Sequence, residues 1–420
     1  MIDLLKRLFP IHRSILGPGI KKSLEIIAEN VEIMKIKKIK SRTKVFDWII
    51  PDEWHIHEAY IVTPEGKKIC DIKKNNLHVM SYSCSVNKII SYQELRKKLI
   101  FNKKLPNSIP YATSYYKKNW SFCISYNQFK KLSKKGKYKV FINSNFVKGH
   151  LSYGEAYIKG KSKKEFFLST YLCHPSMANN ELSGPVVMSK LIKNIMKKKN
   201  FFSYRFVIVP ETIGSIAYIS KNLNQMKKNI MHGINLSCIG DNRSYSFLPS
   251  RDEKYIINKI GKKVIMQKKN HKIYNWLDRG SDERQYCWPG VNLPIISIMR
   301  TKYGKYKEYH TSLDKIGNVV TLKGLEGGLK TVEEIINIIE NNYYPKSKIL
   351  CEPFMQKRNL YPDISTKNTP GDFRKLIDIM SYCDGSRSIF EISEIMKTDF
   401  FSILEKVKFL KKLKLVSLNM

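Results

Sequence analysis

Cys173-His-Pro-Ser-Met-Ala-Asn-Asn-Glu-Leu-Ser-Gly-Pro185 follows directly on Phe166-Phe-Leu-Ser-Thr-Tyr-Leu172, a strand-like run. The stretch reads as a strand, a loop carrying an imidazole and a carboxylate, and a Ser-Gly pair opening a helix predicted over 184–198. In an open α/β sheet, ligands bind beyond the carboxyl ends of the strands. His174 offers a neutral nitrogen and Glu181 an oxygen, both acceptable to zinc. Cys173 adjoins His174, and on a strand adjacent side chains point to opposite faces. With no base partner for Cys173 or Cys287, a cysteine hydrolase is disfavoured.

Neighbouring segments repeat the pattern. Tyr204–Val209 is a strand ending at Pro210-Glu211-Thr-Ile-Gly214, and Ile234–Ile239 another ending at Gly240-Asp241-Asn-Arg243. Pro294–Met299 is followed by Tyr303-Gly-Lys-Tyr306 and Tyr309-His310-Thr-Ser-Leu-Asp314. Each delivers a carboxylate or imidazole to one sheet edge. Helices predicted over 214–228 and 322–341 alternate with these strands, which implies a mostly parallel sheet covered on both faces.

Further out the texture changes. A helix is predicted over 20–35 after the Gly17-Pro-Gly19 turn. Val45–Ile50, Ala59–Val62 and Ser121–Ser125, bounded by Pro51, Pro64-Glu-Gly66 and Pro106, read as an inserted β-rich unit. Lys139–Ile142 reads as the first strand of the alternating pattern. After Pro345, helices over Asp372–Met380, Ser388–Met396 and Asp399–Leu413 and a strand at Leu415–Leu418 suggest a winged helix-turn-helix. The expected domains are an α/β domain over 1–44 and 128–345, an insertion over 45–127 and a winged helix over 346–420.

Composition bounds the function. Hydrophobic residues at 42% and charged residues at 26% exclude disorder as the default. The net charge of +39 is mostly lysine, spread from Lys21 to Lys412 in a chain rich in Asn and Ile. That distribution reads as a solvated surface more than a polyanion site. Lys406, Lys408, Lys411 and Lys412 lie in the last helix, but Val407, Phe409 and Leu410 between them suggest packing, so nucleic acid is not the expected partner. Eight cysteines without a CxxC pair point to reduced thiols. Met1–Pro10 lacks an apolar signal core, and no run approaches the length of a membrane span, so the expected location is the cytoplasm. His12 and Arg13 are expected to tie the N-terminus to the body. Trp48, Trp54 and Trp120, with Tyr111, Tyr115 and Tyr116, read as core of the β unit, with a sugar-stacking surface as the alternative.

With these residues in view, the chain resembles the zinc aminopeptidase superfamily, which carries a His after a strand, an Asp-Asn-x-Ser-Gly stretch, a Glu-Glu pair, an Asp and a late Tyr-His-Thr. More closely, it resembles the family of polysaccharide biosynthesis proteins with an aminopeptidase-like domain. Phe9–Gly17, Asp47-Trp48 with Pro51–Trp54, Leu77-His-Val79, Pro110–Tyr116, Cys173–Ser176, Pro210–Ser215 and Gly280–Tyr286 carry that likeness. It implies a zinc-dependent hydrolase of a peptide or amide bond, with His174, Glu181, Asp241 and His310 as candidate metal ligands. Glu211 would be the catalytic carboxylate or a ligand. Asn180, Arg243, Asp282, Glu283 and Arg284 would line the substrate site, an arginine pairing a substrate carboxylate. The superfamily's bridging Asp falls on Asn180, the first Glu of its pair on Pro210, and its late Asp near Ser237. One zinc is therefore expected, with two as the alternative. The rival function is a peptidase-fold binding or regulatory protein for a glycan precursor, a partner or DNA; a homo-oligomer is left open.

Overall fold

The structure, a computed structural model, describes residues 1–358, 360 and 371–420. The chain divides into two units, Met1–Glu333 and Glu334–Met420. The first unit contains β1 (Lys35–Lys40), β2 (Glu53–Val62), β3 (Lys68–Ile69), β4 (Val86–Ser91) and β5 (Lys137–Val147). There follow β6 (His150–Ile158), β7 (Glu165–Tyr171), β8 (Ser203–Val209) and β9 (Ile230–Leu236). It ends with β10 (Tyr245–Leu248), β11 (His271–Ile273) and β12 (Ile295–Met299).

The main sheet has the order β1-β6-β8-β7-β9-β12-β10-β11. Its centre is parallel, with β7 paired to both β8 and β9, and β9 to β12. Every residue of β7 is buried, as expected of a central strand covered on both faces. The helices Ser183–Met196 and Ile213–Asn229 follow β7 and β8. Because the chain leaves β7 for β8 on one side and returns to β9 on the other, the order reverses at the carboxyl end of β7. That is where such sheets open a ligand crevice. Close packing behind it depends on Gly184: a Cβ there would lie 2.1 Å from Thr170 Oγ1.

The insertion is wider than 45–127. β1 and β6 pair antiparallel with Lys40 opposite His150, so the chain leaves the main sheet at Lys40 and rejoins it at His150. The intervening residues form a four-stranded sheet, β3-β2-β5-β4, and two small two-stranded pieces. Lys139–Ile142 belongs to this insertion, since β5 pairs with β2 and β4. Its alternating burial marks an antiparallel strand with one buried face, unlike β7. Trp54, Tyr138 and Val140 of the insertion share one core with Val207, Val209 and Ile213.

In the second unit, helices Gly371–Ser381, Ile389–Ile395 and Phe400–Lys412 accompany an antiparallel pair, β13 (Tyr344–Ser347) and β14 (Val416–Asn419). Ser388 and Glu391 form a capping box at the second helix, and the Asp399 side chain caps the third. Val407 and Leu410 are buried as expected, whereas Phe409 is exposed. No helix among the described residues is long and apolar enough to cross a membrane.

Candidate functional site

The loops after β7, β8 and β9 and the segment 303–314 meet at the reversal point. Each holds a non-glycine residue with positive φ: Ser176 (42°), Thr212 (65°), Cys238 (46°) and His310 (54°). Such backbone costs on the order of 1–3 kcal/mol per residue and survives where its surroundings enforce it. A five-residue π-helical turn, Ala178–Leu182, leads into the helix after β7. It carries Asn179, Asn180 and Glu181, all buried.

His174 stands at the centre. Its Nδ1 lies 2.9 Å from Glu181 Oε2, while the other Glu181 oxygen accepts the Cys173 N–H. Buried Arg13 donates from Nε to the His174 carbonyl at 3.0 Å and lies 3.7 Å from Glu181 Oε1. Arg13 thus does more than tie down the N-terminus: it places a positive charge under this carboxylate. Burial disfavours a charged His174, but the hydrogen bond and charge of Glu181 outweigh it and raise the imidazole above its ordinary value. His174 Nε2 is turned the other way, 3.8 Å from Glu211 Oε2.

Glu211 is the more open carboxylate, with 23% of its side chain exposed. Its Oε1 accepts from Ser281 Oγ at 2.9 Å, and burial raises its pKa. The His310 ring lies 5.4 Å from that of His174 and stacks on Tyr309 at 4.0 Å. Burial, then the His174 charge, pushes the His310 pKa down to about 3, leaving the ring neutral. From the insertion, Tyr111 packs against both His174 and His310 and donates its N–H to the His310 carbonyl at 2.8 Å.

Asp241 is differently placed. Its oxygens accept from Asn179 Nδ2, the Arg243 N–H, the Thr301 N–H and Thr301 Oγ1 at 2.7–3.0 Å. All four of its lone-pair directions are thus occupied by protein donors, unlike those of Glu211. Glu181 likewise spends both oxygens within the protein and orients His174. Asp314 accepts the Asn179 and Asn180 N–H groups and the Tyr306 hydroxyl; burial pushes its pKa up to about 6.

The expected substrate residues separate. Arg243 is paired with Glu308 at 2.7 and 2.9 Å, which removes it from substrate reading. Glu283 accepts from the Gly280 and Ser281 N–H groups, Tyr303, Asn235 and Ser297, so it is a structural anchor. Asp282 Oδ1 holds the Thr212 N–H and Ser215, but Oδ2 is buried without a partner. Burial, then the Glu211 charge, raises Asp282 to about 8. Arg284 Nε and Asn180 Nδ2 are also buried without partners. Asn179, Thr301 and Ser281 were not singled out from the sequence; nothing in their types announces these contacts.

Cys173 Sγ lies 3.2 Å from His174 Nδ1, not on the opposite face, because β7 ends at Tyr171 and strand alternation stops there. Burial, then the Glu181 and Glu211 charges, drives the thiol pKa well up, so it remains protonated and a poor nucleophile.

Among the described residues, only Cys173, His174 and Glu181 bring three ligand-type atoms within 4.8 Å of one another, and donors of these types suit zinc. His174 Nε2 and Glu211 Oε2 face one another, Glu181 fixes the imidazole through its other nitrogen, and neutral His310 stands alongside. Two imidazoles and a carboxylate suit zinc, as does a histidine held by a second-layer carboxylate.

Residues 2–342 match the family described as "Domain of unknown function (DUF4910)", and residues 343–418 match a winged helix-turn-helix. A Clostridium acetobutylicum protein named for polysaccharide biosynthesis and an aminopeptidase-like domain is 40% identical over 394 residues, covering 93% of this chain and 90% of that one. A crystal structure from the same organism, described as a peptidase, is 38% identical, with a TM-score of 0.91 over 99% of this chain and 95% of its own. A zinc aminopeptidase from Bacillus subtilis shares the fold at 14% identity, with a TM-score of 0.58 over 79% of this chain and 93% of its own. The chain belongs to the DUF4910 family, as an aminopeptidase-like protein related throughout to the clostridial one and ending in a winged helix-turn-helix.

Proposed function

We propose that the protein is a single-zinc hydrolase of a peptide or amide bond, acting in the cytoplasm on a substrate linked to surface polysaccharide synthesis. The observation that carries this reading is His174, oriented through Nδ1 by Glu181 and facing Glu211 through Nε2, with His310 beside it. The polysaccharide link is carried over from the name of the clostridial relative. Eight unpaired cysteines fit a reducing compartment.

His174, His310 and Glu211 would hold the ion. When bound, zinc would polarise the scissile carbonyl and lower the pKa of a water toward about 7. As the alternative to ligating, Glu211, partly exposed, would take the proton of the attacking water and return it to the leaving amine. The free Asp282 oxygen suits a substrate amine, and Arg284 Nε a carbonyl or carboxylate. Tyr111, Tyr309 and Tyr171 pack aromatic surface around the two imidazoles and limit water.

Zinc content and hydrolysis of aminoacyl amides, measured on wild type and Glu211→Gln, test this. Activity lost with zinc retained assigns Glu211 to proton transfer, and zinc lost with it assigns ligation. Full activity in the variant overturns the reading. A non-catalytic binding protein is favoured by Asn180 and Pro210 at positions where carboxylates are expected and by the occupied state of Asp241; absence of metal after zinc reconstitution would favour it over the hydrolase.

A further inference from the structure

The aromatic residues of the insertion fall into two groups. Trp54 is core, stacked on Tyr82 at 5.8 Å, and Trp120 packs against the same cluster. Trp48, Tyr115, Tyr116 and Phe146 are exposed. Tyr115, Tyr116 and Phe146 line a cleft of about 660 Å³ with Tyr82, Ile49, Ile50 and Pro51. Trp48 extends its wall, 6.4 Å from the Tyr116 ring, and the Tyr116 hydroxyl donates to the Ile49 carbonyl at 2.8 Å. Tyr82 in the floor holds a φ of 65°, strain an aromatic residue bears only when its surroundings impose it.

The cleft is linked to the candidate site by a relay of side chains: Tyr82 meets Tyr115 edge-on at 5.8 Å, Tyr115 neighbours Tyr111, and Tyr111 lies 4.8 Å from His174. Its charge is unbalanced: Arg42, Lys117 and Lys118 line it against one carboxylate, Asp52. Arg42 and Asp52 neutralise each other in a two-point pair at 2.9 and 2.7 Å. Neither Lys117 nor Lys118 is held in an ion pair among the described residues, although both are exposed at the mouth.

We infer that this cleft is a substrate subsite for an acidic sugar, the aromatic faces stacking on the ring and Lys117 and Lys118 receiving its carboxylate or phosphate. Open aromatic faces suit the apolar face of a sugar, and the two lysines supply the charge that a neutral glycan would leave unanswered. The inference deepens the proposed function and rests on it for the idea that a reactive amide lies at the other end of the aromatic path.

The test is equilibrium binding to the full chain, by calorimetry and tryptophan fluorescence, which needs no turnover. The probes are a uronic-acid disaccharide, N-acetylglucosamine 1-phosphate, a neutral disaccharide and an acidic dipeptide. One acidic sugar should bind at least about tenfold more tightly than the neutral one. Which of the two wins assigns the acid as carboxylate or phosphate. Lys117→Ala/Lys118→Ala and Tyr116→Ala should each weaken it by about tenfold, whereas Tyr116→Phe keeps the ring and should retain it. Unchanged melting temperatures confirm intact folds. No acidic-sugar binding, equal binding of the neutral sugar or the dipeptide, or indifference to the lysine substitutions would each overturn the subsite. Zinc-dependent amide hydrolysis without sugar binding refutes this inference alone; sugar binding without hydrolysis refutes the hydrolase reading alone.

Discussion

The two acidic flanks of the candidate site use their carboxylates in opposite ways. On the His174 flank, Glu211 keeps an oxygen toward an imidazole and a share of solvent, and Asp282 keeps an oxygen with no partner. On the Asp241 flank, Asn179, Arg243 and Thr301 occupy both oxygens. Carboxylates keep open oxygens on one side and are fully occupied on the other, and hydrogen-bond saturation makes the difference. A carboxylate that accepts several protein donors in a buried setting has little to gain from a cation.

The sharpest way to break this contrast is at its imidazoles. His174→Ala or His310→Ala should remove the bound zinc, about one per chain, as read by metal analysis after dialysis. Zinc retained by both variants would move the metal to the other flank. Next is Glu211→Gln, which should lower amide hydrolysis by about 10²–10⁴-fold if it acts as general base. Glu181→Gln removes the charge that orients His174 and should weaken zinc binding by about 10–100-fold, measured by competition with a chelator. An unchanged affinity would show that His174 needs no such support.

The Asp241 flank predicts the reverse behaviour. Asp241→Asn turns an all-acceptor group into one that must also place two donors among Asn179 and Thr301. It should cost about 1–3 kcal/mol in denaturant unfolding and leave zinc content unchanged. The smallest effect is expected from Asn180→Asp, which restores the superfamily's carboxylate type while Asp241 stays occupied. Zinc should remain at about one per chain; a second equivalent would show that the saturated flank can open.

That His174, Glu211 and His310 come together is legible in the sequence, because each follows a recognisable apolar run and strand ends in such a sheet converge. Asp241 satisfies the same rule, but the sequence does not say which donors will surround its carboxylate. Glu181, Arg243 and Glu283 have partners in Arg13, Glu308 and Tyr303 that only tertiary structure reveals, while Glu181 remains grouped with Cys173 and His174 as a candidate metal ligand. The insertion was visible as a change in texture, but its end was placed too early. Lys139–Ile142 reads as a strand in either sheet, and the pairing of Lys40 with His150 that closes the insertion joins residues far apart in the chain. Of the aromatic residues, Trp54 is in the core as expected and Trp120 is half-buried against it, while Trp48, Tyr115 and Tyr116 are exposed.

The strap between the insertion and the His310 loop has a consequence for biogenesis. The Ile109 N–H donates to Ser312 Oγ at 3.0 Å across a sequence separation of 203 residues, beside the Pro110–Thr311 bridge. Contacts of such length carry a large loop-closure cost and tend to form late. During synthesis, His174 leaves the ribosome well before His310, and the insertion must already be folded to receive the later loop. The pairing of His310 with Tyr111 and His174 is therefore the last part of the candidate site to assemble, once almost the whole first unit has been made.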